Sequence, residues 1–257
     1  MADRMSKGII IRESAPCDNA QLVTLWHDVF GDPHALIEGF LSLLPSMGIG
    51  CVADQSGKIL GAAYLIHGFT LSCPGSESQR CGYLYAVAVS EEARGYGLGT
   101  AVSRGAAKSG RRHGAELLCT LPAEESLYRW YGDILSLRFR SVRTAYTCKE
   151  LPSVAPLSPE EYLRIRETLL QGLPHVIPNP AVMAFQEQLC KAYGGGLYCF
   201  DGGILCACQE GDHYAVSELL LSNPAQAIPE IFVPRTSSYL CSDLPFPDGL
   251  IWNLTLD

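Results

Sequence analysis

Positive charge is scarce in this chain. It holds 19 lysines and arginines against 27 acidic residues, a formal net charge of -8. A general nucleic-acid binder needs a basic face to displace counterions from phosphates, so no nucleic-acid partner is expected. A cationic acceptor such as an amine is permitted. Long apolar runs are also missing, and none approaches the roughly 20 residues that cross a bilayer, so no membrane partner is expected. The opening MADRMSKGIIIRES has no apolar core of a leader, because Arg12 and Glu13 interrupt it, and cytoplasmic residence is the expectation. The 11 cysteines are odd in number and scattered, unlike a secreted disulfide framework. Cys206 and Cys208 form the one close pair in the sequence, on one face of an alternating strand. No second pair or histidine cluster accompanies them, so reduced thiols and no metal are expected.

What is present suffices for a large core: 257 residues, 47% of them hydrophobic. Leu22, Leu25, Trp26, Val29 and Phe30 recur at helical spacing after Asp18-Asn19, and Gly31 ends that run. A second helix opens at Asp32-Pro33, with proline at its first position. Strands follow over 50–54, 59–70 and 81–89, then a helix to about His113, a strand over 115–120, a helix over 124–134 and a strand over 137–148. This order predicts an α/β fold with a mixed sheet and helices on both faces.

Residues 149–158, KELPSVAPLS, read as a linker between a domain at 1–148 and a smaller lobe at 159–257. The lobe opens with a capping box at Ser158-Pro159-Glu160-Glu161. A second helix starts at Asn179-Pro180, and three strands follow over 197–200, 204–209 and 214–221. A short helix at Asn223-Pro224 and a terminal strand over 250–256 complete it. In outline the lobe repeats the first half, without a counterpart of its glycine turn.

That turn is the informative segment. An apolar strand, Tyr83 to Val89, runs into Arg94-x-x-Gly97-x-Gly99, and a helix begins near Gly99. Glycines let consecutive N–H groups turn inward, and the helix N-terminus adds positive potential, so the segment suits a diphosphate. A Walker A loop fails, since no lysine precedes Thr100. A dinucleotide fingerprint fails too: counting from Gly95 or Gly97, its third glycine falls on Thr100 or Val102.

Residues 87–102, VAVSEEARGYGLGTAV, resemble the acetyl-CoA signature of the GNAT N-acetyltransferases, and the order of elements from Ile9 to Cys148 is similar to their fold. The resemblance implies a mostly antiparallel twisted sheet whose fourth and fifth strands splay apart. It implies that the backbone of Val87, Ala88 and Val89 pairs with the pantetheine arm. Arg94, Gly95, Tyr96, Gly97, Leu98, Gly99 and Thr100 would wrap the pyrophosphate. Arg104, Lys108, Arg111 and Arg112 are candidates for a further phosphate, although cations near a helix C-terminus also offset its dipole without any ligand.

The same resemblance implies a tyrosine that protonates the leaving thiolate, on the helix after the fifth strand. Two registers compete. Tyr128 with Gly132 matches the family's Tyr-x-x-x-Gly pattern and is similar to the enhanced-intracellular-survival branch. Tyr131 matches relatives reading Pro-Ala-Glu-x-x-Leu-x-x-x-Tyr, with Leu135 in place of their glycine, and is slightly preferred. The fourth strand has no acid to serve as base. Tyr83 and Tyr85 are left there to orient a water relay, with His67 and the terminal carboxylate of Asp257 as further candidates. The expected activity is transfer of an acetyl group from acetyl-CoA to a primary amine on a small molecule or peptide. The alternative is an acyl-CoA sensor without turnover.

Overall fold

The computed structural model describes residues 8–223, 225–235 and 238–256. Strands β1 (Ile9–Glu13), β2 (Gly48–Gln55), β3 (Lys58–Ser72) and β4 (Gln79–Val89) pair antiparallel in sequence order, and β5 (Leu117–Thr120) joins β4 in parallel. Helices α1 (Asn19–Phe30) and α2 (His34–Met47) lie between β1 and β2. Helix α3 (Leu98–Arg112) links β4 to β5, and α4 (Glu125–Leu135) follows β5. The α/β class and the mostly antiparallel sheet are as expected.

Strand alternation divides the core into two layers. Ala62, Tyr64 and Ile66 of β3 face the layer that holds α1 and α2, through Trp26, Ile37 and Phe40. Ala63 and Leu65 face α3 and α4, through Val102, Ala106 and Tyr131. Helix α3 lies very close to the sheet. A Cβ on Gly110 would collide with the buried Leu65 side chain, so glycine permits this close approach. Gly31, with φ 79°, stops α1 in the left-handed conformation. Pro33 precedes α2 as its cap rather than occupying the first turn as expected.

The second half continues as β6 (Phe139–Arg143), β7 (Tyr146–Cys148), β8 (Val154–Pro156), α5 (Pro159–Leu169), β9 (His175–Pro178) and α6 (Pro180–Ala192). Strands β10 (Gly196–Phe200), β11 (Gly203–Glu210), β12 (His213–Leu221), β13 (Val233–Pro234) and β14 (Ser238–Ser242) follow. Both helix starts are capped as their sequences dictate. Glu161 N–H donates to Ser158 Oγ at 3.2 Å, and Ser158 N–H to Glu161 Oε2 at 3.0 Å. Val182 N–H donates to Asn179 Oδ1 at 2.9 Å. Behind β12 a fully buried Glu218 accepts from Arg166 Nε and from the Tyr162 hydroxyl, each at 3.0 Å, which ties α5 to the sheet.

The expected division at 149–158 does not coincide with the sheets. The first sheet runs β1-β2-β3-β4-β5-β14-β6, with β9 paired to β3, and the second runs β13-β7-β12-β11-β10-β8. Residues 137–148 are therefore two strands in two sheets, broken at Thr144-Ala145. The presumed linker supplies an edge strand, and β14 returns to insert between β5 and β6. Residues 250–256 are not a strand. They make one isolated bridge, Ile251 with His175, and bury Trp252, Leu254 and Leu256 through packing alone. Pro224 lies outside the described residues, and Asn223 and Ala225 beside it are in bends and turns rather than helix. Among the described residues no helix is long and apolar enough to cross a membrane.

An aromatic cluster joins the halves. Phe185 of α6 meets Phe40 edge-on, with ring centroids 5.0 Å apart, and Phe40 lies 5.0 Å from Tyr64 and 4.9 Å from Trp26. Phe185 is fully buried. Phe185→Ala is therefore expected to lower unfolding free energy by about 3–5 kcal/mol in denaturant titration. A loss under about 1 kcal/mol would mean that the halves do not share this core.

Candidate active site

The β4–β5 ladder consists of Cys81–Leu117, Gly82–Leu118 and Tyr83–Cys119, and there it stops, although β4 runs on to Val89. Past the last pair, Thr120 Oγ1 donates to Leu84 O at 2.8 Å, so a side chain takes the place of the next strand hydrogen bond. On its far side β5 is held by β14, with Cys241 opposite Thr120. Two residues later Ala86 adopts φ 45°, and the β3–β4 register slips between the Tyr64–Tyr85 and Ala62–Ala88 pairs. This is a bulge with a left-handed alanine, a conformation costing about 1–2 kcal/mol. Together these features leave the β5-facing edge of residues 84–89 without a strand partner among the described residues. Val87, Ala88 and Val89 lie on that edge.

At its outer end the edge reaches the glycine turn. Gly95 and Gly97 have φ of 82° and 77°, and Gly97 caps α3, which begins at Leu98. The first bond within α3 is Ala101 N–H to Gly97 O at 3.0 Å. The N–H groups of Leu98, Gly99 and Thr100 therefore emerge at the helix end, and no side chain among the described residues caps them. Arg94 folds back, its Nε donating to Val89 O at 3.3 Å. Arg94 and Tyr96 are exposed, and nothing lies within 4 Å of the Cβ positions of Gly95 and Gly97. Gly99 differs from expectation: it sits within the helix without positive φ, and its Cβ would make an ordinary 3.7 Å contact with Trp130. Of the four cations on α3, Arg111 pairs with Asp243 and Arg112 with Glu13, and Arg104 donates to Ile134 O.

At its inner end the edge opens into a cavity of about 550 Å³ between the two sheets. Leu84, Tyr85, Ala86 and Val87 form one wall, and Thr120 to Ala123 with Leu127 and Tyr131 another. Trp26, Phe30 and Asp32 close it from α1 and the turn after it, and β11, β12 and α6 form the floor.

The two tyrosines on α4 separate here. Tyr131 lines the cavity. Tyr128 does not: its hydroxyl donates to Tyr239 O at 2.9 Å and accepts from Tyr239 N–H at 3.1 Å, clasping β14. Arg140 lies 4.3 Å over its ring, and burial raises its pKa. Tyr85 reaches the cavity, whereas Tyr83 is 1% exposed and packs on Phe69 and Trp252. His67 is not in the cavity. It stacks on His113, 6.0 Å away, at the far end of α3, and burial lowers its pKa. Asp257 lies outside the described residues.

Two carboxylates unforeseen from the sequence line the cavity, and both are engaged. Asp32 accepts from Trp26 Nε1 at 2.6 Å and from the Tyr193 hydroxyl, whose pKa burial and Asp32 push up to about 12. Glu210 is held by both terminal nitrogens of Arg235, at 3.2 and 3.1 Å. Cys208 also lines the cavity, with its thiol pKa lowered by a hydrogen bond with Cys190. Cys190 and Cys206 are free thiols with sulfurs 3.4 Å apart.

Residues 11–132 match the family model described as an acetyltransferase (GNAT) domain. No curated protein matches the chain. Among solved structures, a GCN5-related N-acetyltransferase from Kribbella flavida is similar over 91% of this chain and 70% of its own, at 12% identity and a TM-score of 0.62. Eis1 from Mycobacterium abscessus is similar over 84% of this chain and 60% of its own, at 16% identity and a TM-score of 0.59. A Pyrococcus horikoshii protein described as an acetyltransferase candidate covers 96% of this chain and 95% of its own, at 16% identity and a TM-score of 0.58. At these identities the likeness is one of fold.

The turn yields a test with opposite signs at neighbouring glycines. Gly97→Ala is expected to destabilise the protein by about 1–2 kcal/mol, because a Cβ there meets left-handed strain. Gly99→Ala is expected to be neutral or stabilising by up to about 1 kcal/mol, because alanine favours the helix. Thermal or urea unfolding of the two variants measures the difference, and equal effects would contradict the geometry.

Proposed function

From the premise that residues 11–132 are a GNAT acetyltransferase domain, we propose that the protein transfers an acetyl group from acetyl-CoA to a primary amine. The observation that carries this reading is the unpaired β4 edge, which joins an uncapped helix N-terminus to a cavity between the two sheets. The parts fit the donor in order. N–H groups of residues 95–100 and the α3 dipole suit a pyrophosphate. The backbone of Val87, Ala88 and Val89 suits an amide-bearing arm lying as an added strand. The cavity beyond suits the thioester and the acceptor. Bound acetyl-CoA supplies the acyl carbon: the neutral amine bonds to it, the C–S bond breaks, the thiolate gains a proton and the nitrogen loses one, leaving an amide and free thiol.

Little covalent chemistry falls to the protein, and holding the reactants together supplies much of the rate. Tyr131 is the proton donor to the thiolate, because its ring lines the cavity, while Tyr128 is committed to β14. Tyr85, on the opposite wall, orients water that takes the amine proton. A carboxylate whose oxygens already accept hydrogen bonds is a poor base, which sets aside Asp32 and Glu210. That engagement favours a second reading, an acyl-CoA sensor without turnover. Free-thiol release separates the two, since a sensor binds acetyl-CoA and releases none with any amine.

Tyr131→Phe is expected to lower kcat about 10²–10⁴-fold with acetyl-CoA affinity nearly unchanged, since a general acid acts on charge that develops only in the transition state. Tyr128→Phe is expected to do the reverse, keeping kcat within about threefold while costing about 1–3 kcal/mol of stability, because Tyr239 N–H loses its acceptor. Steady-state kinetics and denaturant unfolding of both variants measure this. Wild-type turnover in Tyr131→Phe would remove the assignment.

A further inference from the structure

The charges on the cavity wall specify more about the acceptor than its amine. Four charged residues line it: Asp32, Glu210, Arg143 and Arg235. Two are acidic and two basic, so among the described residues the charges of the wall balance. Asp32 is satisfied by Trp26 and Tyr193, and Glu210 by Arg235. Among the described residues such a wall offers no unengaged carboxylate to hold a polycation.

Arg143 is the exception to this pairing. It closes β6 where the chain passes from the first sheet to the second. Its Nε donates to Asn253 O at 3.1 Å, and among the described residues no other hydrogen bond or ion pair engages the guanidinium. A half-buried guanidinium fixed through Nε presents its two terminal nitrogens as a planar fork, which matches a carboxylate. The surrounding wall is apolar, with Trp26, Phe30, Leu127 and Leu189. The floor adds Gln186, 3% exposed, whose Oε1 has no hydrogen-bond partner among the described residues and can accept from an N–H donor.

Resting on the acetyltransferase reading, we propose that the acceptor is a free α-amino acid with an apolar side chain. Its carboxylate lies on Arg143, its side chain lies against the apolar wall, and its amine faces the β4 opening. A carboxylate one carbon from the attacking nitrogen distinguishes this acceptor from polyamines, and from peptide N-termini, whose α-carboxyl is an amide.

The test measures thiol release from acetyl-CoA with L-phenylalanine, L-phenylalaninamide and spermidine, and binding of acetyl-CoA and of L-phenylalanine by calorimetry. The wild-type chain is expected to use L-phenylalanine with kcat/KM at least about tenfold above the amide and spermidine, a difference of about 1.4 kcal/mol. Arg143→Met should erase the preference mainly by raising KM for L-phenylalanine, and Arg143→Lys should keep part of it. Loss of acetyl-CoA binding in Arg143→Met would mark a folding defect, and the comparison then rests on Arg143→Lys. The proposal is overturned if the amide or spermidine equals L-phenylalanine in the wild type. It is also overturned if the Arg143 variants keep the wild-type ratio, or if L-phenylalanine neither binds nor reacts while acetyl-CoA binds. Failure of acetyl-CoA itself to bind removes the acetyltransferase reading, and calorimetric binding of L-phenylalanine to wild type and to the Arg143 variants then decides the amino-acid site by itself.

Discussion

Strand β5 stops pairing with β4 after Tyr83–Cys119, and the rest of the site depends on that interruption. Backbone N–H and C=O groups are strong hydrogen-bonding groups, and leaving them unpaired away from water is costly. The protein manages the opening locally. Thr120 takes up Leu84 O, β14 holds the far side of β5, and the Ala86 bulge turns the remaining edge. What is left is a strand edge suited to a ligand that carries its own amides. It is bounded by a helix end that favours negative charge and by a cavity that favours an apolar body.

The second half acts on this opening from below. Phe185 of α6 enters the aromatic cluster beneath Tyr85, and β14 clamps Tyr128 while β11 and β12 floor the cavity. The two halves of the chain thus share the first sheet, through β9 and β14, as well as a core, and displacing the second half would take away one wall of the pocket. This coupling explains why the two α4 tyrosines part ways, one on β14 and one on the cavity wall. The clasp between Tyr128 and Tyr239 fixes the helix, and the next turn then delivers Tyr131 to the cavity.

The parts legible in the sequence were those whose physics is local. The glycine turn, the capping box at Ser158, the cap at Asn179 and the alternation of β3 and β4 each declare themselves within a few residues. The parts missed are long-range. Strand β14 pairs with residues over a hundred positions earlier, and nothing in Ser238–Ser242 names that partner. The sheet change at Thr144-Ala145 hides inside a run that reads as one strand. Residues 250–256 show the opposite error, since their alternation comes from packing rather than from a ladder. Asp32, Gln186, Arg143 and Glu210 come from four separate elements, and only the fold brings them around one cavity. Ala86 carries no signal at all, because alanine is not a residue expected at positive φ.

Acetyl-CoA along the unpaired β4 edge is what the proposed function requires. A crystal structure grown with acetyl-CoA tests it most directly. The account predicts the pyrophosphate against the N–H groups of residues 95–100, the pantetheine amides hydrogen-bonded along residues 87–89, and the acetyl group in the cavity beside Tyr131. Acetyl-CoA seated elsewhere, or an opening closed by β5 pairing onward with β4, would contradict it.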